Sequence, residues 1–120
     1  MKEPKNEQWY TRPVFFVKDV ARSLDFYCDV LGFTKVSDYQ EDNRSIVAQV
    51  NRGEKCEILL AENAECAGRS RIYIELWPKE LRCFRDEIRA KKIPAKESRW
   101  GTPIIEIVDP DGNEIFFPYE

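Results

Sequence analysis

The stretch 13–33, PVFFVKDVARSLDFYCDVLGF, decides the fold. Val14, Phe15, Phe16 and Val17 form an unbroken run of β-branched and aromatic side chains, as a buried strand does. Asp19 then offers an oxygen to the free N–H groups that open a helix. Val20, Leu24, Tyr27 and Leu31 recur at three- and four-residue intervals, and Phe26 widens that apolar stripe. Gly32 ends the helix, because a positive φ costs glycine nothing. One strand feeds one helix.

The same unit returns about sixty residues later, with apolar residues at 72, 74 and 76 and a helix over 80–92 carrying Leu81, Phe84 and Ile88 on one face. Setting Asp19 against Glu80 puts Val20 on Leu81, and a one-residue difference in length puts Gly32 on Lys92. Lys92 is therefore expected at positive φ. Between the two units the pattern predicts strands over 34–41, 45–51 and 55–61, with turns at Asp42-Asn43-Arg44 and at Arg52-Gly53-Glu54. In the second unit it predicts strands over 71–77, 95–99, 102–108 and 114–118. Pro78 suits a first helical turn, and Asp109-Pro110-Asp111-Gly112 reads as a type I turn closing the last hairpin. The sum is an α+β chain of two βαβββ modules: 12–61, a linker over 62–70, and 71–118, all in one domain.

A chain of 120 residues is enough for one compact core. The net charge of −3 is spread without a basic block, which argues against a nucleic-acid partner. No apolar run approaches the roughly 20 residues that span a bilayer, so no membrane partner is expected. Residues 1–12 are polar and lack a secretion-signal core, so the expected address is the cytoplasm. Trp9 and Tyr10 are expected to dock, and an arm that ends at Pro13 suits packing on, or exchange with, the partner of a homodimer.

There is no histidine, which removes the commonest metal ligand and general base. Cys28, Cys56, Cys66 and Cys83 show no C-x-x-C spacing, so they read as small buried hydrophobes rather than a zinc site.

Three segments together, 17–33 VKDVARSLDFYCDVLGF, 80–93 ELRCFRDEIRAKKI and 100–118 WGTPIIEIVDPDGNEIFFP, resemble the glyoxalase / bleomycin-resistance / extradiol-dioxygenase superfamily, the vicinal oxygen chelate fold. The resemblance runs from about Arg12 to Pro118. It implies that each module curls into a half-barrel, that the pair encloses a ligand cavity, and that the helices lie outside. Strand alternation then turns Arg12, Val14, Phe16, Arg71, Tyr73, Glu75, Trp77, Ile104, Glu106, Val108, Glu114 and Phe116 inward.

Metal-dependent members of that superfamily place ligands at fixed spots. Here the first, seven residues before the helix-cap Asp, is Arg12; its repeat, seven before Glu80, is Tyr73; the carboxylate position three residues after the DPDGN segment is Phe116. Glu57 stands near a fourth. Arginine has no lone pair to give and phenylalanine no donor atom, so no metal and no other cofactor is expected.

The resemblance is nearest to the bleomycin-resistance branch, which implies a metal-free homodimer that sequesters an aromatic or cationic compound. Arg12, Phe16, Tyr39, Arg71, Tyr73, Glu75, Trp77, Trp100, Glu106 and Phe116 are the candidate binding residues. Each has a plainer reading. Arg12 either clamps an anionic group or pairs with Glu75, Glu106 or Glu57. Glu75 and Glu106 either hold a cation or pair with Arg12 and Arg71. The aromatic residues either stack on a ligand or pack at a rim or interface. Two alternatives stay open: a lyase or isomerase with Glu75 or Glu106 as base, and a regulatory dimer without chemistry.

Overall fold

The computed structural model describes residues 8–119. Two four-stranded sheets repeat one pattern, in the orders β1-β4-β3-β2 and β5-β8-β7-β6. The first sheet comprises β1 (Val14–Val17), β2 (Thr34–Glu41), β3 (Arg44–Arg52) and β4 (Cys56–Glu62). The second comprises β5 (Arg71–Tyr73), β6 (Lys96–Arg99), β7 (Pro103–Val108) and β8 (Glu114–Pro118). In each, the opening strand lies parallel to the closing strand and the rest are antiparallel. The crossovers are α1 (Val20–Leu24), which continues as a π-helix over Asp25–Val30, and α2 (Pro78–Lys91).

The expected βαβββ repeat is therefore present, and so is the expected parity. Phe15, Val17, Ile58, Leu60, Ile105, Ile107, Ile115 and Phe117 face the helices and share one core with Val20, Tyr27, Leu31 and Phe84. Asp19 caps α1 through its Oδ1, 3.2 Å from the Arg22 N–H. Gly32 stands at φ 75 after the first helix, and Lys92 at φ 54 after the second. No helix among the described residues is long and apolar enough to cross a membrane.

Three expectations are corrected. The first helix is not α throughout, because the Leu31 N–H reaches back five residues to the Phe26 carbonyl. The strand expected over 71–77 stops at Tyr73. The Ile74 N–H still donates to the Phe116 carbonyl at 2.8 Å, but the next rung needs an N–H from residue 118, and that residue is Pro118. The cysteines are not buried: Cys83 is exposed and the other three are half-buried. The expected docking of Trp9 and Tyr10 is not decided by the single chain, on which they are 85% and 67% exposed; 1–7, the rest of the arm, lies outside the described residues.

A buried polar knot joins the modules. The Asp109 carboxylate accepts from the N–H groups of Asp111, Gly112 and Asn113, from the Asn113 amide, and from the Tyr27 hydroxyl at 2.9 Å. Asn113 also donates to the Phe16 carbonyl at 3.0 Å. Burial first and Asp109 second push the Tyr27 phenol far above its ordinary range. Gly68 passes so close to the Asp111 carbonyl that no side chain would fit there.

Candidate functional site

The face of each sheet turned away from the helices carries the candidate residues. On the first sheet, register continues Val14↔Leu59 back to Arg12 beside Glu57. The Arg12 guanidinium lies 3.7 Å from Glu57, whose carboxylate also accepts from Gln49 at 2.8 Å. Arg12 further contacts Tyr10, over whose ring it sits at 4.9 Å. Gln49 in turn reaches Asn51 at 3.0 Å, so a polar row crosses β3 and β4. Glu57 was legible as a neighbour of the ligand positions, whereas Gln49 and Asn51 gave no signal beyond their place on an alternating strand.

On the second sheet, Tyr73 is the register partner of Phe116, and Phe116 that of Glu106. Trp100, in the loop between β6 and β7, folds back over them: its ring centroid is 5.5 Å from that of Tyr73 and 6.1 Å from that of Phe116, both edge-on. Arg71 covers the Phe116 ring at 4.9 Å while its guanidinium binds Glu114 at 2.5 Å. Trp100 is 62% exposed and Tyr73 40%, while Phe116 is buried beneath them, so solvent reaches two of the three rings.

A groove of about 940 Å³ joins the two sheets and is lined by Arg12, Glu57, Tyr73, Glu75 and Trp77 among others. Tyr73 belongs to both the groove and the three-ring surface. Three candidates sit apart from this centre. Tyr39 is on β2, at the far edge of its sheet, and spends its hydroxyl on Glu41 at 2.8 Å. Phe16 is half-buried beside the junction of the modules, where its carbonyl is held by Gly68 and Asn113. Glu106 lies deeper in its sheet, between Phe116 and Lys96.

The expected pairing of Glu75 and Glu106 with Arg12 and Arg71 is corrected. The arginines are taken by Glu57 and Glu114, each its neighbour in the parallel register. Among the described residues neither Glu75 nor Glu106 has an ion-pair partner. The four ligand positions implied by the resemblance do come together in pairs, Arg12 with Glu57 and Tyr73 with Phe116. They supply one carboxylate, already held by Arg12 and Gln49, and no group of three metal-ligating side chains occurs among the described residues. This donor set does not fit a divalent metal.

The family model for the Glyoxalase/Bleomycin resistance protein/Dioxygenase superfamily matches residues 9–117. The chain belongs to this superfamily. Solved structures of this fold match at nearly full length. A glyoxalase / bleomycin resistance protein from Catenulispora acidiphila has TM-score 0.74 and 21% identity, covering 92% of this chain and 97% of its own. Lactoylglutathione lyase from Agrobacterium tumefaciens has TM-score 0.72 and 19% identity, covering 95% of both chains. A bleomycin-binding protein from Streptomyces verticillus, solved with copper(II)-bleomycin, has TM-score 0.69 and 23% identity, covering 97% of this chain and 99% of its own. No curated protein matches the chain. Identities this low carry the shared fold and no activity, and the superfamily holds both enzymes and binding proteins.

Proposed function

We propose that this member of the superfamily is a metal-free binding protein of the cytoplasm that sequesters a planar, cationic aromatic compound. The observation that carries this reading is the charge on the open face. Its two arginines, Arg12 and Arg71, are neutralised in place by Glu57 and Glu114, while Glu75, which lines the groove with Tyr73, and Glu106, the register partner of Phe116, have no ion-pair partner among the described residues. Aromatic faces and unspent carboxylates attract the same ligand, a flat cation. A second copy of the chain closes the face, with the arm bearing Trp9 and Tyr10 packed on its neighbour. The exposure of both rings on their own chain supports that arrangement.

Fluorescence titration tests the reading. Bleomycin and simple planar aromatic cations should quench tryptophan emission, Trp100→Ala should remove most of the response, and Glu106→Gln should weaken cation binding. An anionic analogue of equal shape binding as tightly would overturn the assignment of charge. Stoichiometric metal in elemental analysis would overturn the metal-free assignment. Turnover of a 2-oxo substrate that is lost in Glu106→Gln but survives a chelator would instead place the protein among metal-independent lyases. Light scattering of the chain without residues 1–10 should show a shift toward monomer; an unchanged dimer would remove the arm from the interface.

A further inference from the structure

A second cavity, of about 360 Å³, lies beneath α2 on the helix side of the second sheet. Leu31, Phe33, Ile74, Leu76, Phe84 and Phe117 form its wall. It adjoins the larger groove across the 74–77 segment, whose Ile74 and Leu76 border both spaces.

Two features open this space. The first is the uneven anchoring of α2. Its C-terminal half is clamped: Lys91 donates to the carbonyls of Asp29 and Val30, and Glu87 holds Arg52 in a bidentate pair at 2.6 and 3.1 Å. The Arg52 guanidinium also lies over the Phe84 ring at 5.5 Å. Among the described residues the N-terminal half has no such clamp. Its cap residue Trp77 makes no side-chain hydrogen bond, and Lys79, Glu80 and Cys83 overhang the cavity. The second feature is the floor. Pro118 releases the chain after Ile74 from the sheet, so that segment has no backbone ladder below it.

We propose that this cavity is a second small-molecule site, taking an uncharged bicyclic compound with at most one polar group. Size sets the skeleton: a dry apolar cavity of about 150 Å³ holds one benzene ring, and this one has more than twice that room. Charge sets the rest. Arg52 is spent on Glu87, and Lys79 and Glu80 stand at the helix end, so a ligand's polar atom belongs at that mouth while its rings meet leucine, isoleucine and phenylalanine. A peptide helix, about 10 Å across with its side chains, would not fit.

Indole, an uncharged bicycle with one N–H, is the probe. Titrated into isotope-labelled protein, it should give saturable NMR shifts at the amides of Ile74, Leu76, Cys83 and Phe117. It should also raise the melting temperature and slow alkylation of Cys56, which lines the cavity. Leu76→Trp, which fills the space, should abolish all three responses, and Trp100→Ala, on the open face, should leave them intact. Shifts confined to Tyr73, Trp100 and Phe116, or no saturable shift in the wild-type protein, would overturn the proposal whether or not Leu76→Trp folds. Because the cationic compounds are read at Trp100 and indole at the α2 cavity, either reading can fail without the other.

Discussion

The two modules keep opposite halves of one hydrogen-bond ladder. Setting Arg12 against Tyr73 and Glu57 against Phe116 puts Pro13 against Ile74 and Leu59 against Pro118. In the first module Leu59 donates to the Pro13 carbonyl at 2.9 Å, and pairing continues to Val17 and Glu62. The rung before it is missing, because Pro13 has no N–H. In the second module that earlier rung is made, by Ile74 to Phe116 at 2.8 Å, and the later one is missing at Pro118. One proline per module therefore decides which half of the opening strand is held. The released halves carry Arg12 in one module and Glu75 and Trp77 in the other, and all three line the groove. Regular pairing ends where these three candidate residues begin.

Four substitutions test how far the modules depend on each other and on these differences. Asp109→Ala removes the acceptor at the centre of the inter-module knot and leaves several buried donors unpaired. It should cost about 3 kcal/mol or more in denaturant unfolding. A loss under about 1 kcal/mol would mean that the modules cohere by apolar packing alone.

Tyr27→Phe removes one donor from the same knot and should cost about 1–3 kcal/mol at neutral pH. It also has a pH signature. The folded phenol titrates well above its unfolded value, so its share of stability is complete below about pH 10 and is lost as the pH rises past it. Wild-type stability should fall in that alkaline range, and the variant should show a shallower fall. Equal slopes would assign the alkaline loss to other groups.

Lys92→Gly makes the two helices end alike. Lysine at φ 54 carries left-handed strain that glycine does not, so the variant should gain about 0.5–1 kcal/mol. A lower melting temperature would show that the lysine side chain contributes more than its backbone costs.

Pro118→Leu makes the two ladders alike and should change global stability least. The restored rung contributes about 0.5–1.5 kcal/mol, and the freer unfolded chain offsets about 0.4–1 kcal/mol of it. Hydrogen exchange gives the clearer readout: the new amide at 118 should exchange slowly, as the hydrogen-bonded amide of Leu59 should. Fast exchange at 118 would mean that the 74–77 segment is held away from the sheet by something besides the proline.

Much of this architecture was legible in the sequence because it rests on local chemistry. The apolar alternation of Phe15, Val17, Ile105 and Ile107, the Asp19 cap and the glycine at 32 each have short-range causes. The lysine at 92 was legible only through the repeat. The end of β5 was missed because its cause, Pro118, lies on a different strand more than forty residues away. The partner of Arg71 was missed, and that of Arg12 left open, for a similar reason. Alternation gave the face of Arg12 and Arg71 and left Glu57 among three possible partners for Arg12, but it did not give the parallel register that selects Glu57 and sets Glu114 beside Arg71. Trp100 is legible as an aromatic near a hairpin, yet its edge-on contacts with Tyr73 and Phe116 depend on how a loop folds back, which residue spacing does not encode.

The π-helical turn over Asp25–Val30 has a consequence for matching the halves to each other or to relatives. Counted from the matched pair Asp19 and Glu80 to the terminators Gly32 and Lys92, the first module has one residue more than the second, and the wider turn takes up that residue. Val20 before the turn and Leu31 after it both still reach the core. The insertion is absorbed in place, and the residues beyond it keep their facing. An alignment that forbids a gap inside a helix will misplace every residue from there to Gly32, whereas one that opens a single gap within 25–30 keeps both core positions in step.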